Sequence, residues 1–257
     1  MRVRPIAAAT CFGFLLLFAQ ASTAKAAEIK LLCAIALQQL MENLGPKFEG
    51  ATGHKLTMTF APLGQALKRV QDGETYDAVI LPQRGVEGLI KDGKAAAGPT
   101  TVIAITRIGV AVRKGAPKPD ISSSEAFKRS MLAAKSITHG NPAYGGLSGI
   151  HVTKVLERLG IAEQMKPKTV LLDKAGLAGV LVANGEAEIV VQPIQELMVV
   201  PGIDVVGPLP DELQDTVAYP AAIMTGAKET VSIGALIAFL RTPDATALIK
   251  VMGIEPG

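Results

Sequence analysis

The sequence predicts an α/β protein in which strands and helices alternate along the chain. Short apolar runs, typical of strands buried in a parallel sheet, are separated by segments whose apolar residues recur at helical spacing over about 10 to 15 residues. Small aliphatic residues dominate, tryptophan is absent, and there are only seven phenylalanines and three tyrosines. This composition is typical of proteins in which helices pack against parallel strands.

Taken in order, the apolar runs and the periodic segments give a predicted position for each element. The predicted strands are 29–33, 55–60, 76–81, 101–112, 136–138, 169–172, 189–192, 205–206 and 217–224. The predicted helices are 36–49, 63–71, 86–90, 125–134, 150–159, 176–184, 228–241 and 244–251, with a short turn or helix at 193–197. Among the helix starts, the run of serines at 122–124 followed by Glu125 is typical of an N-cap.

The first 26 residues have the pattern of a signal peptide. Arg2 and Arg4 precede an apolar run at 11–19, and the segment ends in small residues at 24–26 around a single lysine. The apolar run is shorter than the roughly 20 residues needed to span a bilayer. We therefore expect export, with cleavage near Ala26.

Removal of this segment changes the charge of the protein. It carries three basic residues and no acidic one, so the 26 lysines and arginines fall to 23, equal to the 23 acidic residues. A neutral chain has no broad basic surface for nucleic acid or an acidic membrane. We expect a monomer without a nucleic-acid partner. Cys33 is then the sole cysteine, so no intramolecular disulfide forms.

The sequence shows no motif for a metal or a cofactor. His54, His139 and His151 are far apart, and none pairs with Cys33 at zinc-site spacing. The chain contains no nucleophile elbow, phosphate-binding P-loop or dinucleotide fingerprint. We therefore predict no metal and no cofactor, and assign no catalytic residue.

A strand, a turn of small residues and a helix N-terminus recur three times. These turns lie at 33–36, 61–64 and 145–149. Small residues leave backbone N–H groups approachable, and the N-terminus of a helix favours an anion. Because ligands of open α/β sheets gather where strands end, the three turns predict an anion-binding cleft.

The order and spacing of these segments resemble the periplasmic molybdate-binding proteins, which have the type II periplasmic binding fold, over nearly the whole mature chain. The segments that carry the resemblance are LLCAIAL at 31–37, FAPLGQAL at 60–67, YDAVI at 76–80, NP at 141–142, SGI at 148–150, NGEAEI at 184–189, VAYPAA at 217–222, IAFL at 237–240 and GI at 253–254.

The resemblance implies two lobes joined by two crossing segments. Lobe 1 would comprise 27–104 and 207–257, and lobe 2 would comprise 105–206, each with a mostly parallel sheet flanked by helices. The ligand would lie in the cleft between the lobes, which would close on it. In this family, hydroxyl groups and backbone N–H groups hold the oxyanion without a counter-charge.

Three departures from the family pattern disfavour molybdate or tungstate as the ligand. Ile35 stands where those proteins have a serine, 62–64 reads Pro-Leu-Gly where they have several serines, and Gln192 stands in place of a tyrosine. Unmatched buried polar groups cost about 1–3 kcal/mol each, so some other small anion is expected. The candidate ligand-binding residues are Cys33, Ala34, Ile35, Leu63, Gly64, Gln65, Arg84, Tyr144, Gly146, Ser148, Gly149 and Gln192.

Two functions remain open at this point. The resemblance implies a periplasmic receptor that captures a small oxyanion or organic carboxylate and delivers it to an ABC permease. The alternative is an isomerase, since some aconitate isomerases resemble this family and convert trans-aconitate to cis-aconitate by allylic proton transfer. Such an enzyme needs an acid/base group, for which Cys33, Tyr144, His139 and His151 are candidates.

Overall fold

The computed structural model describes residues 26–98, 100–144, 147–173 and 176–257. The predicted signal peptide, apart from Ala26, lies outside these residues. The strands are β1 Glu28–Ala34, β2 Lys55–Ala61, β3 Ala78–Ile80, β4 Thr101–Thr106, β5 Ile108–Arg113, β6 Ile137–His139, β7 Ile189–Pro193, β8 Ile203–Pro208, β9 Val217–Ile223 and β10 Glu255–Pro256. The helices are α1 Gln38–Thr52, α2 Leu63–Gln71, α3 Gln83–Lys91, α4 Ser124–Ala133, α5 Leu147–Arg158, α6 Ala162–Met165, α7 Gly179–Ala183, α8 Ile194–Leu197, α9 Thr230–Phe239 and α10 Pro243–Val251.

The strands form two separate sheets. One has six strands in the order β10-β4-β9-β3-β1-β2, and the other has four in the order β6-β7-β5-β8. The chain passes from the first sheet to the second at Arg107, and returns between Pro208 and Val217. The predicted lobe boundaries at 104/105 and 206/207 fall inside β4 and β8, a few residues before these crossings. The division into lobes at those residues stays a prediction.

The expectation of mostly parallel sheets is wrong, although the α/β class is confirmed. β1 pairs in parallel with β2 and β3, and β6 with β7, but β5 and β9 are antiparallel to both of their neighbours. The physical reason is the route of the chain. β5 and β9 are the first strands after each crossing, so they start at the boundary between the sheets and run away from it.

Apolar side chains cover the sheets on both faces. β1 lies between β3 and β2 in its sheet, and its residues from Leu31 to Ala34 are all buried, as expected for a strand covered by helices on both sides. In the second sheet, Val110 and Val112 face a cluster with α4 and α5, while Ala111 faces the opposite cluster with α7. Each sheet is therefore fixed in register by two buried faces.

Several predicted elements differ from the observed ones. The apolar region 101–112 is two strands in different sheets, separated by Arg107. The predicted strand at 169–172 is wrong, because only Thr169 forms a bridge, to Ile137, and Leu171 is exposed. Helix α5 begins at Leu147, three residues before the predicted start.

Among the described residues, no single helix is both long enough and apolar enough to cross a membrane. Helices α9 and α10 meet that test only as a pair bent by 59°.

Candidate ligand-binding cleft

A cavity of about 300 Å³ lies between the two sheets. Residues at the carboxyl ends of β1, β2, β6 and β7 line it, together with both crossing segments, which is where ligands of α/β sheets gather. The polar side chains in the lining are those of Thr106, Arg107, Asn141, Ser148, Gln192, Gln195, Glu196, Asp215 and Tyr219. The apolar lining consists of Ala34, Ile35, Ala36, Ala61, Pro62, Leu63, Pro82, Ile108, Pro193 and Val217.

Helix N-termini reach this cavity because strands end there and helices start at once. β2 ends at Ala61, and α2 begins at Leu63, directly after Pro62. On the opposite wall, Ser148 lies in the first turn of α5. The first N–H groups of a helix have no partner within the helix, so they are available to an anion.

All three predicted turns contribute residues to this cavity. Ala34, Ile35 and Leu63 line it from the first sheet, and Ser148 and Gln192 line it from the second. These five predicted residues are therefore brought together from segments that are far apart in sequence. Whether they contact a ligand remains a prediction.

Other predicted site residues lie outside the cavity lining. Cys33 is fully buried beneath it, and Gly64 and Gln65 are exposed on α2. Gly149 packs behind Ser148, so closely that a Cβ atom would overlap the Gly140 carbonyl oxygen. Arg84 lines a neighbouring groove.

Two further predicted residues fall on parts of the chain that are not described. Gly146 and the side chain of Tyr144 lie outside the described residues.

A half-buried carboxyl group faces the cavity, and sequence reasoning missed it. Glu196 lies on α8 and accepts a hydrogen bond from Gln192 Nε2 at 2.6 Å. Gln192 is held in place because its Oε1 accepts from the Gly179 N–H at 3.3 Å. Burial raises the pKa of Glu196 to about 7, although the bond from Gln192 acts to lower it. This carboxyl group can therefore gain or lose a proton near neutral pH.

Two more polar features surround Glu196. The Oε1 atom of Gln195 is buried without a hydrogen-bond partner among the described residues. Across the cavity, Tyr219 is bonded to Thr106, and burial raises the pKa of the tyrosine, with the Glu196 charge adding to the effect. Tyr219 is therefore a neutral hydroxyl group at physiological pH.

Arg107 links the two crossings and the C-terminal strand. Its Nη1 donates to Asp211 at 2.9 Å, and its Nε lies 2.8 Å from a Glu255 oxygen. These carboxylates raise the pKa of Arg107, so its charge is permanent but largely compensated. Its carbonyl oxygen also accepts from Ile194 N, which begins α8. Arg107 thus ties the crossing to the helix that carries Glu196.

A second cavity, of about 410 Å³, forms a basic groove beside the first. The two cavities share Pro82, Asp215 and Val217 in their linings. We call the groove the rim groove, and its basic side chains are Arg84 from α3 and His151 and Lys154 from α5. His151 Nε2–H donates to the Leu213 carbonyl oxygen at 2.8 Å, and its Nδ1 lies 3.8 Å from Asp215.

Of the predicted acid/base candidates, Cys33, His139 and His151 do not line the main cavity, and the side chain of Tyr144 lies outside the described residues. Burial raises the pKa of Cys33 far above its usual range, so the thiol stays protonated. Burial lowers the pKa of His139, whose Nδ1–H donates to the Gly140 carbonyl oxygen at 2.8 Å, and its ring lines a different cavity. The signal that could have found Glu196 is an acidic residue just after the carboxyl end of a buried strand, in the run at 192–196.

The sequence is similar to those of an aconitate isomerase and a molybdate-binding protein. The chain is 32% identical over 222 residues to an aconitate isomerase from a Pseudomonas species, covering 84% of this chain and 83% of the relative. It is 26% identical over 238 residues to the molybdate-binding protein of Azotobacter vinelandii, covering 91% and 92% of the two chains.

Solved structures of anion-binding proteins share the fold. The periplasmic molybdate-binding protein of Azotobacter vinelandii superposes with a TM-score of 0.65 at 20% identity, covering 89% of this chain and 99% of the other. A tungstate-binding protein from Desulfovibrio alaskensis gives a TM-score of 0.67 at 14% identity, covering 90% and 99%. A family profile also matches residues 29–255. By that match, the chain belongs to the family of bacterial extracellular solute-binding proteins.

Proposed function

We propose that this protein captures a small organic anion with two or more carboxylate groups in the cleft between its lobes, and delivers it to an ABC permease. The observation that carries this proposal is the mixed lining of the cavity. Ala34, Ile35, Leu63 and Val217 offer apolar contact, which suits a carbon frame. A four-oxygen anion has no such frame, and it needs donors on every side.

The size and charge of the two cavities support an extended ligand. A four-oxygen anion has roughly the size of four waters, which need about 60 Å³ of cavity space, whereas the main cavity alone measures about 300 Å³. The rim groove supplies Arg84 and Lys154 for a charged group at the far end of the ligand. Similarity to an aconitate isomerase, a protein named for a tricarboxylate, supports the same ligand class.

Thermal unfolding in a panel of anions tests this ligand class. The mature chain would be melted with molybdate, tungstate, sulfate, phosphate, succinate, citrate, tricarballylate and trans-aconitate. A ligand present at 100 times its dissociation constant adds about 2.7 kcal/mol to the free energy of unfolding. We expect a raised melting temperature with a di- or tricarboxylate. Stabilisation by molybdate or tungstate alone would overturn the proposal.

The rim groove provides a sharper test of how the ligand lies. Replacing Lys154→Gln removes one cation from the groove, and Lys250→Gln removes one from α10, far from it. We expect Lys154→Gln to weaken binding of a tricarboxylate more than that of succinate, with no change for Lys250→Gln. Equal effects of the two variants would exclude the groove from the binding site.

Export to the periplasm is part of the proposed role. The family is described as extracellular, and the solved Azotobacter relative is periplasmic. We expect the protein in a periplasmic extract to have the mass of a chain beginning at Ala27. An intact mass that still includes residues 1–26 would contradict cleavage.

A second function, isomerisation of a tricarboxylate, is favoured by Glu196. A carboxyl group with a pKa of about 7 inside a cleft is suited to general acid/base work. In this reaction Glu196 would take a proton from the methylene carbon of trans-aconitate. The double bond would shift, and the proton would return to the other end of the allylic system. The reaction needs no oxidant or second substrate.

Proton NMR separates the receptor from the enzyme. Wild-type protein, Glu196→Gln and the exposed control Glu42→Gln would each be incubated with trans-aconitate. If the protein is an isomerase, new vinyl and methylene signals should appear with wild type and Glu42→Gln, and none should appear with Glu196→Gln. An unchanged spectrum with wild-type protein that binds trans-aconitate would eliminate the isomerase.

A further inference from the structure

Glu196 is an anionic group in a cleft that we propose binds anions. A carboxylate of the ligand placed beside an ionised Glu196 would be repelled, because like charges at short distance disfavour each other's charged form. The contact becomes favourable when one proton lies between the two carboxyl groups, as in other coupled carboxyl pairs.

The surroundings of Glu196 offer no cation to remove this repulsion. Among residues 26–98, 100–144, 147–173 and 176–257, no lysine, arginine or histidine lies within 4.0 Å of its carboxyl oxygens. Arg107, the cation in the cavity lining, is engaged with Asp211 and Glu255. The bonded neighbour of Glu196 is the neutral amide of Gln192.

The other titratable groups around Glu196 are neutral or lie at a distance. Tyr219 on β9 faces it across the cavity, and Asp215 lies in the second crossing. Strands β5, β7 and β8 pack against α8, and their charged residues are Arg113 and Asp204. Both lie at the end of the sheet away from the cleft, where Val112 pairs with Asp204.

A second side-chain acceptor next to Glu196 in the sequence is also without a hydrogen-bond partner among the described residues. The Oε1 atom of Gln195 is buried without a partner, one residue before Glu196 and in the same cavity lining. Buried acceptors are normally satisfied by a donor.

Resting on the carboxylate-binding role proposed above, we propose that Glu196 is the residue through which the cleft binds its carboxylate ligand together with one proton. The proton lies between the Glu196 carboxyl group and a ligand carboxylate. Gln192 fixes the position of the acceptor from the opposite side. The proton comes from the buffer acid and forms an O–H bond with one of the two carboxyl groups, and no other covalent bond forms or breaks.

The sign of the pH dependence follows from this arrangement. Binding requires Glu196 in its protonated form, which is abundant below its pKa of about 7 and scarce above it. The dissociation constant should therefore rise about fivefold between pH 7 and pH 8, and close to tenfold over the next unit. At pH 7.5, binding should take up roughly 0.75 proton per ligand.

Isothermal titration calorimetry with tricarballylate and trans-aconitate measures this proton directly. Heats recorded at pH 7.5 in HEPES and in Tris, which differ in ionisation enthalpy, give the number of protons taken up. We expect uptake near the stated value for wild type and for Glu42→Gln. Glu42 is a matched control, because it accepts from Gln38 Nε2 four residues earlier, as Glu196 does from Gln192, but is exposed.

Glu196→Gln carries the decisive prediction, because glutamine is neutral at every pH. Its proton uptake should vanish, and its dissociation constant should no longer change with pH. At pH 8.5 the dissociation constant of Glu196→Gln for the tricarboxylate should be at least about tenfold lower than that of wild type, because little of the wild-type Glu196 is then protonated. Circular dichroism confirms that the variant is folded.

The possible failures are distinguishable. Binding by wild type without proton uptake, or equal uptake by Glu196→Gln, overturns the assignment to Glu196 and leaves carboxylate capture intact. Absence of binding by every carboxylate in the panel overturns the proposed function, and the proton-linked contact with it.

Discussion

Glu196 shows why single residues of the site are hard to identify from sequence. Its local sequence, Pro193 followed by the four residues of α8, indicates only a short turn. Its burial comes from Tyr219 and the Arg107 crossing, which are distant along the chain. Gln192 was predicted from the family resemblance, because it stands in place of a tyrosine. The carboxyl group four residues later follows the end of the same buried strand, but the local sequence does not show the tertiary contacts that enclose it.

Gly149 is expected to tolerate no side chain. A Cβ atom there would overlap the Gly140 carbonyl oxygen, and the backbone of the cleft wall would have to move. We expect Gly149→Ala to lower the free energy of unfolding by about 1–3 kcal/mol, measured by urea denaturation.

The control for this substitution is a glycine on another helix. Gly234 lies on α9, and a Cβ atom there meets nothing within 4 Å. Gly234→Ala should stabilise the protein by about 0.4–1 kcal/mol. Equal effects of the two substitutions would contradict the close approach of Gly149 to Gly140.

Cys33 is expected to be chemically silent in the native protein. Its side chain is 0% exposed, and burial raises the pKa of its thiol, so the reactive thiolate is scarce. The mature chain at pH 8 should not react with a thiol-specific disulfide reagent until denaturant is added, when one thiol should appear. Rapid labelling of the native protein would contradict the burial of Cys33 and indicate that its thiol is accessible from the cleft.

At the scale of elements, the sequence predicts what depends on local periodicity. The amphipathic pattern located α1, whose buried face includes Leu40, Met41, Leu44 and Phe48, and Gly53 ends it in the left-handed region at φ 74°. The prediction of one strand over 101–112 was wrong because β4 and β5 are both apolar, and only the crossing at Arg107 divides them. The prediction of a strand at 169–172 was wrong because this segment pairs with another strand at only one bridge.

The N-cap of α4 was predicted from sequence and can be tested by substitution. Ser123 accepts a hydrogen bond from the Ala126 N–H at 3.2 Å. Ser123→Ala should lower the free energy of unfolding by about 1 kcal/mol, because that N–H loses its acceptor.

The neighbouring serine is the matched control in the same urea experiment. Ser124 makes an exposed side-chain contact with Glu212 at 3.3 Å, so Ser124→Ala should change stability by less than about 0.5 kcal/mol. A larger loss for Ser124→Ala than for Ser123→Ala would contradict the assigned cap.

At the scale of the whole molecule, the two crossings determine both strand direction and site position. Each crossing starts a strand at the boundary between the sheets, which makes β5 and β9 antiparallel to their neighbours. The remaining strands that line the cleft end there, so helix N-termini and the crossings meet around one cavity. Resemblance to a family could predict this meeting point, whereas element patterns alone could not.

The central claim is that the cleft takes an organic polycarboxylate rather than a tetrahedral oxyanion. Its most direct test is calorimetric titration of the mature chain at pH 6.5 with tricarballylate, trans-aconitate and molybdate in turn. We predict saturable one-site binding of at least one tricarboxylate and no saturable heat with molybdate. Saturable binding of molybdate, with none of either tricarboxylate, would contradict the claim.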